Sequence, residues 1–120
     1  MEIRRAVPNL LSADLGASRE FYAGFLGFDV AMDEDGFMMF ASPSNRTAQV
    51  TVADRDGEGS DRGVSLAQMS VEVSDVDALH AEAVARGLEI VYPLTDEPWG
   101  VRRFFVRDPG GTVVNVVTHS

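Results

Sequence analysis

Apolar and polar positions alternate along most of this chain, and a helical period interrupts the alternation twice. Ile3 to Leu11 reads as a strand, with Pro8 marking an edge position or a strand end. Asp14 is placed to cap a helix over residues 15–26, where Ser18, Phe21, Tyr22 and Phe25 recur at helical spacing and give one buried face. Gly27 suits its stop. Phe28–Met32, Phe37–Ala41 and Ala48–Ala53 follow as strands, the first two joined by the turn Asp33-Glu34-Asp35-Gly36. Met69–Val73 is the next strand. Ser74 or Asp75 then caps a second helix, with Val76, Leu79, Ala83 and Val84 facing inward and Gly87 ending it. Leu88–Tyr92, Val101–Arg107 and Thr112–Thr118 complete the strands, with Asp108-Pro109-Gly110-Gly111 as a tight turn.

The order of elements repeats. Each half reads strand, helix, strand, strand, strand, and Ser42-Pro43-Ser44-Asn45 stands in the first half where Asp108-Pro109-Gly110-Gly111 stands in the second. The polar, Gly-rich segment 54–64 separates the halves, so the predicted organisation is one domain over 1–120 with modules at about 1–56 and 64–120. Neither half would bury much alone. Joined, they can curl around a shared cavity with the helices outside. The two-residue period sorts the strand positions: Gln68, Ser70 and Glu72 oppose Met69, Val71 and Val73. Gln49 and Thr51 oppose Val50 and Val52, and Val113, Asn115 and Val117 oppose Val114 and Val116. The apolar sets are expected beneath the helices and the more polar sets on the cavity side.

Composition narrows the function. The chain has 120 residues, 45% of them hydrophobic, which suits a single domain with a real core. Cys is absent, which excludes disulfides, thiolate metal sites and thiol catalysis. All 10 basic residues are Arg, so no lysine Schiff base or P-loop lysine exists. The net charge of −9 disfavours nucleic acid and would attract a cationic ligand, although solubility is the commoner use of such charge. No apolar run approaches the length of a membrane span and no secretory signal is apparent, so a cytoplasmic protein without membrane contact is expected.

Four segments resemble one known superfamily. They are Ala6-Val7-Pro8 with Asp14; Glu20-Phe21-Tyr22 with Leu26-Gly27-Phe28; Ser74-Asp75-Val76 with Gly87; and Pro98-Trp99-Gly100 running through Arg103-Phe104 to Arg107-Asp108-Pro109-Gly110-Gly111. Together they are similar to the vicinal oxygen chelate superfamily of glyoxalases, extradiol dioxygenases and bleomycin-resistance proteins. The last stretch is most like the bleomycin-resistance branch. The resemblance implies an α+β fold of two tandem βαβββ modules, a cup-shaped mixed sheet with helices outside, usually in a homodimer. It also implies four strand positions that hold a divalent cation in the enzymes. Here those positions carry Val7, Gln49, Gln68 and Asn115, none of them anionic and none His. Such a set cannot compensate ion dehydration, so no metal, no cofactor and no catalytic residue is expected.

The implied function is metal-free sequestration of a small cationic aromatic ligand such as a bleomycin-type antibiotic. Two other functions stay open: a lyase, isomerase or ring-cleaving dioxygenase with a nonstandard metal site, and a metabolite-binding module. The expected ligand-binding residues are Phe37, Met39, Gln49, Gln68, Ser70, Glu72, Trp99, Arg103 and Asn115. Trp99, the single Trp, would stack on a planar ligand or anchor its own loop. Glu72 would meet a ligand cation or pair with an Arg. Arg102 and Arg103 should face opposite ways, one of them in an internal salt bridge. Asp96 and Glu97 read as a solvated turn, His80 as a packing residue, and His119 as part of a loose terminus.

Overall fold

The computed structural model describes residues 1–55 and 67–119. Most of the predicted linker 54–64 therefore lies outside the described residues. The chain forms two compact units, Val7–Leu66 and a second one made of Met1–Ala6 with Ala67–Ser120. The boundary falls inside the first strand, β1 (Ile3–Ser12), so the opening residues belong with the second half of the sequence.

In the Val7–Leu66 unit, β1 is followed by α1 (Leu15–Arg19), a π-helical segment (Glu20–Phe25), β2 (Asp29–Glu34), β3 (Phe37–Ala41) and β4 (Gln49–Asp54). The strand order is β2-β3-β4-β1. β1 and β4 run parallel and the other neighbours antiparallel. The paired stretch of β1 starts at Asn9, opposite Thr51. Pro8 thus stands just before that ladder, where its missing N–H costs no bond to β4. Asp14 caps α1, its carboxylate accepting from the Ala17 N–H at 2.9 Å. The single predicted helix 15–26 is two segments, because the Leu26 N–H bonds to the Phe21 carbonyl five residues back at 3.0 Å.

The second unit repeats the plan with β5 (Met69–Val73), α2 (Val76–Ala85), β6 (Ile90–Glu97), β7 (Val101–Arg107) and β8 (Val113–His119). The strand order is β5-β8-β7-β6, with β5 and β8 parallel. The opening residues are tied in by a Ser74 N–H to Glu2 carbonyl bond of 3.0 Å and a Glu2 N–H to Ser74 hydroxyl bond of 2.9 Å. Asp75, not Ser74, caps α2 by accepting from the Ala78 N–H at 3.0 Å. At the other end Gly87, at φ 67°, lets the Gly87 and Leu88 N–H groups return to the Val84 and Ala83 carbonyls.

The helix-side cores follow the period-2 reading. Val71, Val73, Val114 and Val116 pack with Val76, Leu79 and Ala83 of α2. Val50 and Val52 pack with Met38, Phe40, Leu15 and Tyr22. Four side chains depart from their expected buried places: Phe21 is 49% exposed, Phe25 74%, Met69 36% and Val84 58%. His80 packs edge-on against Phe104 at 5.0 Å, as expected of a packing residue.

Candidate functional site

In the second unit, the sheet face opposite α2 carries a concentration of polar side chains. Register fixes its rows. Ser70 pairs with Asn115 and Glu72 with Val117 between β5 and β8; Asn115 pairs with Phe105, Val117 with Arg103 and His119 with Val101 between β8 and β7. On β6, the same face receives Tyr92, Thr95 and Glu97, opposite Phe105, Arg103 and Val101. Tyr92 and Glu97 are an odd number of residues apart, so strict alternation would put them on opposite faces. A bulge between Tyr92 and Thr95 inserts one residue and brings them into phase. Pro93 lies within the bulge, and β6 stands at the end of the strand order, where a missing N–H is tolerated.

That bulge builds a buried charged pair. Arg103 is 4% exposed. Its Nη2 and Nε donate to Oε2 of Glu97 at 2.6 and 2.8 Å, and the Tyr92 hydroxyl donates to the same oxygen at 2.9 Å. Three rings surround the guanidinium: its Cζ lies 5.0 Å from the centre of Phe105, 5.2 Å from Trp99 and 5.4 Å from Tyr92. Glu97 is therefore the anion of an internal salt bridge and the last residue of a strand, which corrects its reading as a solvated turn. Arg103 is in the internal pair, while Arg102 faces the other way, to Asp77 and Asp96. Hydrogen bonds to Asp77 and then Asp96 push the Arg102 guanidinium above its ordinary value.

A second polar group centres on Glu72. Arg5 reaches both carboxylate oxygens at 3.4 Å, and His119 Nδ1 contacts Oε2. His119 is the last residue of β8, which corrects its reading as a loose terminus. Nearby, Asn115 donates from Nδ2 to the Ser70 hydroxyl at 3.0 Å. Asn115 is 6% exposed, and its Oδ1 has no hydrogen-bond partner among the described residues. An acceptor in that state is costly to leave unmade, so it marks a place where a donor is wanted.

Of the nine expected ligand residues, Ser70, Glu72, Arg103 and Asn115 share this helix-free face, and Trp99 lies over Arg103 with 41% of its surface exposed. Gln68 is exposed just before β5 and is engaged with the start of β8, its Oε1 accepting from the Val113 N–H at 2.9 Å. Phe37, Met39 and Gln49 lie on the helix-free face of the other unit, in register with Ala53, Thr51 and Ala41. Arg5, Glu97 and His119 were missed by the sequence reading, and Tyr92 was left open between the core and the groove. Arg5 and His119 had a signal: each is in phase with an expected residue, two before Val7 and four after Asn115.

The four positions implied to hold a metal do not fit one. Val7 has no donor atom. The Gln68 oxygen is taken by the Val113 N–H, and Gln49 and Asn115 offer only neutral amide oxygens. Among the described residues, no three His, Asp or Glu side chains stand close enough to hold an ion. No helix among them is long and apolar enough to cross a membrane.

Residues 5–116 match the model of the glyoxalase/bleomycin resistance protein/dioxygenase superfamily. The chain belongs to this superfamily. Solved structures repeat the fold over nearly the whole superfamily domain. Methylmalonyl-CoA epimerase from Mycobacterium tuberculosis is similar with a TM-score of 0.77 and 21% identity, over 98% of this chain and 89% of that one. A superfamily member from Vibrio splendidus 12B01 gives 0.68 and 17%, over 97% and 98% of the two chains. A methylmalonyl-CoA epimerase variant from Streptomyces coelicolor, in complex with 2-nitronate-propionyl-CoA, gives 0.71 and 22% over 99% of each. No curated protein matches the sequence.

Proposed function

We propose that this superfamily member binds a small planar organic molecule on the helix-free face of its second unit without a metal, sequestering it as a bleomycin-type antibiotic would be sequestered. The observation that carries the reading is the face itself. It offers a ring of Trp99 held over Arg103 and an unanswered acceptor on Asn115, and among the described residues no three His, Asp or Glu side chains gather on it. Aromatic surface with a few placed polar groups is what a small-molecule site requires.

The charge on the face changes one part of the expectation. Glu97 is held by Arg103, and Glu72 by Arg5 and His119, so neither carboxylate is left to make a direct pair with a ligand cation. A cationic group is then drawn by the net charge of −9 at long range, while shape and stacking hold the ligand.

Titration of metal-free bleomycin, followed by Trp99 fluorescence and by calorimetry at low and moderate salt, tests this. A saturable response is expected, weakening as salt rises. Silence in both channels would exclude the bleomycin class, and stoichiometric metal in the purified protein would overturn the metal-free reading.

A further inference from the structure

Glu72 and His119 come from parallel neighbouring strands and lie on the same face as Arg103 and Asn115. Register pairs Glu72 with Val117, so His119 is the diagonal neighbour of Glu72, within reach of a long side chain. The contact uses Nδ1 of the imidazole. Nε2 is thereby left as the nitrogen turned to other partners. The two groups are unequally exposed: the Glu72 side chain is 15% accessible and that of His119 50%. A sheltered carboxylate that orients an accessible imidazole is the arrangement of a general acid–base pair. Arg5 holds the carboxylate from the side away from the imidazole's own strand, which fixes Glu72 in place for His119.

We propose that Glu72 and His119 form a proton-transfer site, in which His119 acts on a small neutral planar ligand in a base-promoted elimination. The proposal rests on the same face as the binding function but not on the identity of the ligand. Nε2 takes a proton from an acidic C–H of the ligand. The pair of that C–H bond forms the new multiple bond, and the leaving atom departs with its own bonding pair. The imidazolium then gives its proton to solvent. No oxidant, reductant or metal enters the balance. The preference for a neutral ligand follows from the face, whose two carboxylates already hold Arg5 and Arg103.

The test uses 5-nitrobenzisoxazole, whose ring opens to a coloured phenolate once a base removes its C–H proton. Wild-type protein is expected to open it faster than an equal concentration of free imidazole. His119→Gln, which keeps a donor for Glu72, should lose at least about tenfold. Glu72→Gln should fall between the two, and Glu72→Asp, which keeps a carboxylate, should recover part of that loss. A surface imidazole acting alone would respond to neither change at Glu72. The charged groups facing that imidazole are Glu72, Arg5 and, across Val117 and Val101, the Arg103–Glu97 pair. His80→Ala, on the helix side, should leave the rate unchanged. Equal rates for wild type and His119→Gln overturn the proposal. So does quenching of Trp99 by the probe without turnover, an outcome that leaves the metal-free binding function standing. Near-ultraviolet circular dichroism of each variant confirms that a lost rate is not lost folding.

Discussion

At the scale of single residues, Arg103 and Glu97 decide the most. A guanidinium and a carboxylate at 5% and 8% side-chain exposure are stable together only because each answers the other. Removing one partner strands the other charge among Phe105, Trp99 and Tyr92. Glu97→Ala should cost about 3–5 kcal/mol in urea unfolding, whereas the double variant Glu97→Leu/Arg103→Met should recover most of it. A cost below about 1 kcal/mol for the single variant would mean that the pair is screened like a surface bridge. Arg102 is the contrast. Its raised pKa keeps it charged above its ordinary value; the stability this gives is fully present below that ordinary value and is lost only as pH climbs through the higher folded one, far above neutrality. The opposite facing of the two arginines was legible, because adjacent strand residues alternate. The partner of Arg103 was not, because alternation along β6 assigns Glu97 to the wrong face.

At the scale of elements, hydrogen-bond patterns separate what hydrophobic spacing merges. Phe21, Tyr22 and Phe25 gave a convincing helical stripe, yet a stripe cannot tell a bond four residues back from one five back. The widened turn places Gly24 beside Glu20. A Cβ built on Gly24 would lie 2.6 Å from Glu20 Oε1 and 2.8 Å from its Cδ. These atoms are the free end of an exposed side chain, which can swing aside. Gly24→Ala should therefore stabilise the protein by about 0.5–1 kcal/mol through backbone entropy. A lower urea midpoint in that variant would show that Glu20 is held where it stands. The caps were easier to read, since Asp14 and Asp75 stand before helical stripes and glycines follow them. Val84 was misplaced because an inward stripe read from sequence is wider than the one the sheet can cover.

At the scale of the whole molecule, continuity along the chain and membership of a folded unit differ. The repeat suggested a cut between residues 56 and 64, but Met1–Ala6 belongs with Ala67–Ser120. Glu2 and Arg5 bind Ser74 and Glu72 there. Deleting residues 2–6 should therefore weaken the unit made of the second half of the sequence, by about 1–3 kcal/mol from the lost backbone bonds and ion pair. Hydrogen exchange checks this: the amides of β5 should lose protection. Unchanged protection in β5 would argue that the segment is only appended.

The sequence by itself determined the repeat, the order of elements, the superfamily and the lack of any carboxylate or imidazole at Val7, Gln49, Gln68 and Asn115. These follow from spacing and residue chemistry, which are local or periodic. The tertiary structure alone decided that Glu97 turns inward to Arg103, that His119 reaches Glu72, and that Arg5 joins them from residues distant in sequence. A bulge shifts the facing of side chains by one residue, and strand pairing joins positions 67 or 47 residues apart, neither of which a local period records.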